Sequence, residues 1–123
     1  MAQRMACQTD VFAGVMAISG PLAPDIDACP AARGKRVLAI HGAEDQNVPV
    51  TGGRGTKGLS GVDFGSEARA AKVFTSAGAT YGLKILPGAE HRLDTIDAAL
   101  RRIDGRSIAE TAVIAFGLNA TAP

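Results

Sequence analysis

The sequence predicts a three-layer α/β fold in which a short parallel sheet of about three strands is flanked by helices. Two observations support this prediction. Strand-sized apolar segments alternate along the chain with segments of helical periodicity, which is typical of parallel strands joined by crossover connections. Each strand segment is also a nearly continuous apolar run, as in a strand covered on both faces. Three strands are few for this architecture, so we expect residues 1–123 to form a single, partial domain.

The first half of the chain contains one helix and two strands. Residues 2–9 have a helical composition, and residues 12–19 (FAGVMAIS) form an apolar run that ends at Gly20-Pro21. Residues 20–35 contain three prolines and indicate a loop. Residues 36–42 (RVLAIHG) then provide the second buried strand.

The second half predicts three helices and a third strand. A Gly-rich loop over residues 47–65 leads to a helix that begins at Ser66 and stops at Gly78. Residues 81–88 (YGLKILPG) form the third strand, and an amphipathic helix follows from Asp94. A capping box opens the last helix. The residues expected on the buried helix faces are Ala70, Val73, Phe74 and Ala77, then Ile96, Ala99, Leu100 and Ile103, and finally Ile108, Ala112, Val113 and Phe116.

Composition argues against several partners. A net charge of +1 and an aromatic content of 4% are unlike the basic, ring-rich surfaces that bind nucleic acid, so no nucleic-acid partner is expected. No run approaches the ~20 apolar residues that a membrane-spanning helix needs. The N-terminus carries no apolar signal region, so we expect a cytoplasmic protein as written, or a secreted or periplasmic one if the chain is a fragment.

The two cysteines, Cys7 and Cys29, lie 22 positions apart. They are either reduced thiols packed as small apolar side chains, or they form one disulfide, worth roughly 3 kcal/mol for a loop of this size. The sequence leaves both alternatives open.

An acid and an imidazole follow neighbouring predicted strands. Asp45 comes after the second strand and His91 after the third. Ligands bind outside the carboxyl ends of parallel strands, and these ends lie at one edge of the sheet. An aspartate that orients one ring nitrogen of a histidine leaves the other nitrogen free as a general base. Asp45 and His91 are thus candidate catalytic residues, although the strand ends alone are equally explained by Asp45 as a turn residue and His91 as a residue at the entry of a helix.

The order of acid, helix and histidine is that of the second half of the Ser…Asp…His order in α/β-hydrolases. The segments AQRMAC, VFAGVMAISG, VLAIHGAEDQNVPVTGG and LPGAEHRLDTI resemble the C-terminal half of the polyhydroxybutyrate depolymerase and feruloyl-esterase-like branch of that fold. In that family, His-Gly-x-x-Asp-x-x-Val-Pro supplies the triad acid and Gly-x-x-His supplies the base. The resemblance implies these roles for Asp45 and His91, and a small ester as a possible ligand.

The nucleophile of that family is missing from the sequence. Its Gly-x-Ser-x-Gly turn would precede the first helix, and no such motif occurs in residues 1–123. Ser19, Ser60 and Ser66 are better explained by turn and cap chemistry. His41 is expected to be a packed, hydrogen-bonded side chain. A metal site built from His41, Asp45, Glu90 and His91 lacks a local ligand spacing, so neither a metal nor a cofactor is expected.

Three hypotheses for function follow. The chain is a truncated serine esterase that retains the acid and the histidine and is inactive alone, a non-catalytic binding or assembly module derived from the hydrolase fold, or a hydrolase completed by a second polypeptide that supplies the serine. The strand over residues 12–19 would lack a neighbour that the full fold provides, so we expect a homodimer formed through its open edge.

Overall fold

The structure is a computed structural model that describes residues 1–58 and 61–118. Its elements, in chain order, are α1 (Ala2–Gln8), β1 (Gly14–Ile18), β2 (Arg36–Gly42), β3 (Gly53–Arg54), β4 (Asp63–Phe64), α2 (Glu67–Ser76), β5 (Thr80–Leu86), α3 (Leu93–Asp104) and α4 (Ile108–Phe116).

The central sheet has three parallel strands in the order β1-β2-β5. Val37 in β2 is in register with Val15 on one side and with Tyr81 on the other. The predicted short parallel sheet is thus confirmed. The Gly-rich segment over residues 47–65 is not wholly a loop, because β3 and β4 pair within it as a small antiparallel hairpin.

The helices cover both faces of the sheet and give it three layers. Val37 packs in a core cluster with residues of α1 and α2, including Cys7 and Phe74. The next residue, Leu38, packs in a second cluster with residues of α3, including Ile96. Successive side chains of a strand point to opposite faces. The α1/α2 layer and the α3/α4 layer therefore lie on opposite sides of β2, which gives the predicted three-layer arrangement.

Helix α1 is held by a disulfide and by a buried lysine. Cys7 and Cys29 are bonded to each other, which decides between the two alternatives that the sequence left open. Lys35, which is 7% exposed, donates from Nζ to the carbonyl oxygen of Ala6 at 3.2 Å and to that of Thr9. A cation is favourable at the C-terminal end of a helix, where carbonyl groups lack partners. A helix of seven residues is marginal alone, so these two anchors stabilise it.

The helix caps agree with the sequence, but two predicted core residues do not. Ser66 accepts a hydrogen bond from the backbone N–H of Arg69, and Ser107 forms the predicted capping box with Glu110. However, Ile103 and Val113 are not buried. Ile103 is 50% exposed and Val113 is 39% exposed, and Ile103 lies in the last turn of α3, at the end of the stripe that buries Ile96 and Leu100. The second core cluster instead includes Ala115.

Strand β1 is shorter and less covered than predicted. Of its five residues only Ala17 is buried, and Phe12, just before the strand, is 44% exposed. Val15 packs against the first core cluster, and Met16 and Ile18 pack against the second, so the predicted burial on both faces is present but incomplete. The reason is its position: β1 is an edge of the described sheet, so no strand continues the apolar layers beyond it.

Within residues 1–58 and 61–118, no helix has the length and apolar character needed to cross a bilayer.

Candidate active site

Asp45 and His91 meet at the carboxyl edge of the sheet. The last residues of β2 and β5 are in register, with Gly42 opposite Leu86. Asp45 follows β2 after a two-residue turn, and His91 follows β5 after the Pro87-Gly88 turn. Two adjacent parallel strands thus deliver both side chains to one place.

Asp45 is fixed by its own loop. One carboxylate oxygen, Oδ1, accepts hydrogen bonds from the backbone N–H groups of Asn47 at 2.9 Å and Val48 at 2.8 Å. This is the local turn that aspartate favours when its side chain replaces a backbone acceptor. The side chain of Asp45 is fully buried, which leaves the second oxygen, Oδ2, to face the histidines.

His91 is paired with that second oxygen. Its Nδ1 lies 2.7 Å from Asp45 Oδ2. An ionised carboxylate only accepts hydrogen bonds, so Nδ1 carries a proton and the neutral ring holds its lone pair on Nε2. The side chain of His91 is 37% exposed, and no hydrogen bond to its Nε2 occurs among the described residues. The ring therefore offers a free basic nitrogen at the surface.

The two loops approach so closely that only glycine fits between them. A Cβ atom on Gly42 would lie 2.4 Å from the carbonyl oxygen of Ala89. Because Gly42 has no Cβ, the two loops come close enough for the backbone N–H of Glu44 to donate to the same carbonyl oxygen at 3.0 Å. Gly42 is thus the residue that lets the acid-bearing loop and the histidine-bearing loop share a backbone hydrogen bond.

A polar cleft of about 220 Å³ opens beside His91. It carries side chains of both charges and no Phe, Tyr or Trp. Its lining residues are Glu44, Gln46, Asn47, Lys57, Glu90, His91 and Arg92.

A buried polar cluster lies beneath this pair. His41 is fully buried, with Nε2 2.7 Å from the carbonyl oxygen of Val48 and Nδ1 3.3 Å from Glu67 Oε2. Glu67, also fully buried, accepts from Gln3 at 3.0 Å through Oε1. The expectation that His41 is packed and hydrogen-bonded is confirmed. The sequence did not single out Glu67 or Gln3, because an acid in the first turn of a helix is ordinarily a solvated dipole partner.

The cluster shifts the acidity of two of its members. Burial by itself lowers the pKa of His41, but hydrogen bonds to Glu67 and to the Val48 carbonyl, with the charges of Glu67 and Asp45, leave that pKa raised. Burial and the charge of Glu67 raise the pKa of Tyr81, so its phenol stays protonated. The Tyr81 hydroxyl lies 3.4 Å from Glu67 Oε1 and donates to it.

The serines of the described residues do not complete a triad. Ser66 caps α2. Ser19 has a left-handed φ of 56° at the end of β1, and its backbone N–H donates to the Ile40 carbonyl oxygen. No serine in residues 1–58 and 61–118 is hydrogen-bonded to His91. Ser60 lies outside the described residues.

The four residues weighed as a metal site are only partly brought together. Asp45 Oδ2 lies 3.4 Å from His41 Nε2 and 2.7 Å from His91 Nδ1. Glu90 is exposed and forms no ion pair with His41 or His91 in the described part of the chain. Across the same residues, no group of three or more His, Cys, Asp or Glu side chains has an arrangement that could hold a metal ion.

The pair has the geometry of a general base. A carboxylate that orients Nδ1–H fixes the tautomer, and it stabilises the imidazolium that forms when Nε2 takes a proton. The described residues supply no activated hydroxyl or thiol for that nitrogen to deprotonate.

Comparisons of the chain with models of protein families, with curated proteins and with solved structures found no match.

Proposed function

We propose that this chain supplies the acid and the base of a serine-type carboxylic ester hydrolase, with Asp45 as the triad acid and His91 as the triad base. The observation that carries the proposal is the 2.7 Å contact between His91 Nδ1 and Asp45 Oδ2 at the carboxyl edge of the sheet. The His-Gly-x-x-Asp-x-x-Val-Pro motif that begins at His41 adds the family resemblance, and it assigns the same two residues to the same roles.

The serine is supplied by polypeptide outside residues 1–123. His91 Nε2 takes the proton of that serine as its oxygen attacks the ester carbonyl, and Asp45 stabilises the resulting imidazolium. The imidazolium then gives the proton to the departing alcohol, which leaves an acyl-enzyme, and water completes the cycle with His91 again as the base. Because a triad lacking a member loses about 10⁴-fold or more in rate, residues 1–123 alone are expected to show almost no turnover.

The edge of β1 is suited to receive the segment that carries the serine. In the hydrolase fold that the sequence resembles, the strand before the nucleophile turn pairs with the strand that corresponds to β1. Apolar clefts of about 640 Å³ and about 700 Å³ lie on either side of that edge. Their lining residues are Val11, Phe12, Ala13, Gly14, Arg36, Phe116 and Leu118 for the first, and Met1, Ala2, Met5, Phe12, Val15 and Met16 for the second.

The test uses the protein as cells make it. A chromosomal copy of the gene receives a C-terminal epitope tag, and the tagged protein is purified and treated with a fluorophosphonate probe, which labels activated serines. We expect the label on a serine either of the tagged polypeptide or of one that copurifies with it. The label should disappear in His91→Ala and persist in the control Arg106→Ala, because Arg106 is exposed and lies outside the cleft.

Two results would contradict the proposal. One is the absence of label on the purified protein and on every polypeptide that accompanies it. The other is a label that His91→Ala leaves unchanged although the variant is folded.

A second candidate function is a homodimeric binding module, and the exposure of the β1 edge favours it. Val11 is 73% exposed and Phe12 is 44% exposed, next to a strand whose outer backbone groups lack a neighbour in the described sheet. Pairing of β1 with β1 of a second copy would extend the sheet across a two-fold axis. The first test is light scattering of residues 1–123 at micromolar concentration. We expect a dimer that Phe12→Lys dissociates and that Ile103→Lys, equally exposed but on α3, leaves intact; a monodisperse monomer would contradict this candidate.

A further inference from the structure

His41 and the Asp45–His91 pair share one carboxylate oxygen. Asp45 Oδ2 lies 2.7 Å from His91 Nδ1 and 3.4 Å from His41 Nε2. His41 is fully buried, whereas His91 reaches the surface. The mechanism above uses only His91, so the buried imidazole has no assigned role.

The backbone of Val48 also links His41 to Asp45, through its N–H on one side and its carbonyl oxygen on the other. The Val48 N–H donates to Asp45 Oδ1 at 2.8 Å, and the Val48 carbonyl oxygen accepts from His41 Nε2 at 2.7 Å. A carbonyl oxygen only accepts, so Nε2 of His41 must carry a proton. One residue of the loop is therefore held from both ends, by the acid and by the buried imidazole.

The other nitrogen of His41 also faces an acceptor. Glu67 Oε2 lies 3.3 Å from Nδ1, while Glu67 Oε1 accepts from Gln3 at 3.0 Å and from the Tyr81 hydroxyl at 3.4 Å. Two donors, the Gln3 amide and the Tyr81 hydroxyl, therefore face Oε1, as they would face a carboxylate that accepts hydrogen bonds. A neutral His41 with a bare Nδ1 would place two lone pairs against each other if Glu67 is ionised. Either Nδ1 carries a proton and donates to an ionised Glu67, or a protonated Glu67 donates to Nδ1, and the two donors that face Oε1 favour the first arrangement.

We infer that His41 is a doubly protonated positioning residue, which Glu67 keeps charged and which holds the Val48 peptide and the Asp45 carboxylate in the geometry that selects the Nδ1–H tautomer of His91. The inference rests on the proposed function only in treating His91 as the base. The pKa of His41, raised by its hydrogen bonds and neighbouring charges against the effect of burial, agrees with a charged ring.

The test is nitrogen NMR of residues 1–123, which contain only two histidines, so the ring signals are readily assigned. Under conditions in which His91 is neutral, we expect both ring nitrogens of His41 to be protonated and His91 to be the Nδ1–H tautomer. Two variants of His41 separate the two contacts. His41→Gln places an amide donor where Nε2 was and should retain the His91 tautomer. His41→Asn places its donor toward Glu67 instead and should convert His91 to a tautomer mixture.

If His41→Asn does not fold, Glu67→Gln tests whether Glu67 keeps the His41 ring doubly protonated. The glutamine amide can donate to His41 Nδ1, so the packing and the bond to Val48 are kept while the charge is lost. We expect His41 to change from the doubly protonated form to the neutral Nε2–H form. Unchanged His41 signals in this variant, or an unprotonated Nδ1 in the unmodified chain, would overturn the inference.

The outcome for the inference is separate from that for the proposed function. If His41→Asn folds and leaves the His91 tautomer unchanged, His41 does not position the pair, although the fluorophosphonate experiment can still find an active serine. If no serine is labelled, the hydrolase proposal fails, while the NMR result still establishes the state of His41.

Discussion

Glu44 and Ala89 are joined by a backbone hydrogen bond, in which the Glu44 N–H donates to the Ala89 carbonyl oxygen at 3.0 Å. Glu44 directly precedes Asp45, and Ala89 lies two residues before His91. The main chain therefore sets the relative position of the two loops. Replacing either functional side chain should alter the chemistry at this edge of the sheet while leaving the loops in place.

The first prediction concerns Asp45→Asn. An asparagine amide can donate to His91 Nδ1, which favours the wrong tautomer and removes the charge that stabilises an imidazolium. In the tagged protein that carries an activated serine, we expect the fluorophosphonate labelling rate to fall by about 10⁴-fold. The matched control is Asp94→Asn, since the Asp94 side chain is 63% exposed and pairs only with Arg92 within the described residues. A labelling rate that is equal in the two variants would remove Asp45 from the role of triad acid.

The second prediction concerns Gly42→Ala. The added methyl group would meet the Ala89 carbonyl oxygen at 2.4 Å, so the loops must separate, and we expect a loss of about 1–3 kcal/mol in the free energy of unfolding. Gly82→Ala in β5 is the control, because its new Cβ would meet the Leu38 side chain at 3.4 Å and the Val37 carbonyl oxygen at 4.0 Å, which are ordinary contacts. Urea unfolding of both variants makes the comparison. Equal midpoints would show that the close approach at Gly42 is relieved at no cost.

The third prediction concerns the disulfide. The Cys7–Cys29 bond closes a loop with a sequence separation of 22 residues, and its removal should lower the free energy of unfolding by roughly 3 kcal/mol. Urea unfolding with and without a thiol reductant measures this loss. The variant Cys7→Ser/Cys29→Ser should unfold like the reduced chain and be insensitive to reductant. If the unmodified chain were equally insensitive, the two cysteines would not be bonded in solution.

The fourth prediction is a pH dependence. The pKa of His41 in the folded chain is raised above its ordinary value of 6.5, since its hydrogen bonds and the charges of Glu67 and Asp45 outweigh burial. The folded state then binds this proton more tightly than the unfolded chain does. The resulting stabilisation is fully present below about pH 6.5 and is lost as the pH rises through the raised pKa.

Urea unfolding across this pH range tests the sign of the effect. We expect the free energy of unfolding to fall with increasing pH in the unmodified chain and to depend less on pH in Glu67→Gln, which removes the main partner of the imidazolium. A pH dependence of equal size in both proteins would mean that the Glu67–His41 pair does not produce it.

Much of the fold follows from local sequence. Continuous apolar runs identify β1, β2 and β5. Serine caps identify the starts of α2 and α4, and apolar periodicity identifies α3. The wrong burial of two helix residues and the missed hairpin have physical reasons. Ile103 and Val113 match the helical period, yet they are exposed because coverage depends on where neighbouring elements end. The β3–β4 hairpin has strands of only two residues, too short to produce a periodic signal.

Of the candidate site, Asp45 and His91 were predictable from the sequence, whereas the buried Gln3 and Glu67 beneath them were not. Asp45 and His91 follow adjacent strand ends, and this rule brings them to one edge of the sheet, where the structure has them in contact. The partners beneath them were not predictable, because Gln3 and Glu67 are 64 residues apart in the chain and meet only through the packing of α1 against α2. No local pattern distinguishes such a buried acid from a solvated one.

The two edges of the described sheet differ in a way that bears on how far association could proceed. The β5 edge carries Lys84, whose Nζ is 2.7 Å from Asp104 Oδ2, whereas β1, with the sequence GVMAI, carries no charge. A lysine on an edge strand discourages the addition of another strand. Growth by strand addition is therefore confined to one side of each molecule. Within the described sheet, this difference favours a closed pair or the addition of a single foreign strand at β1 over growth into a filament.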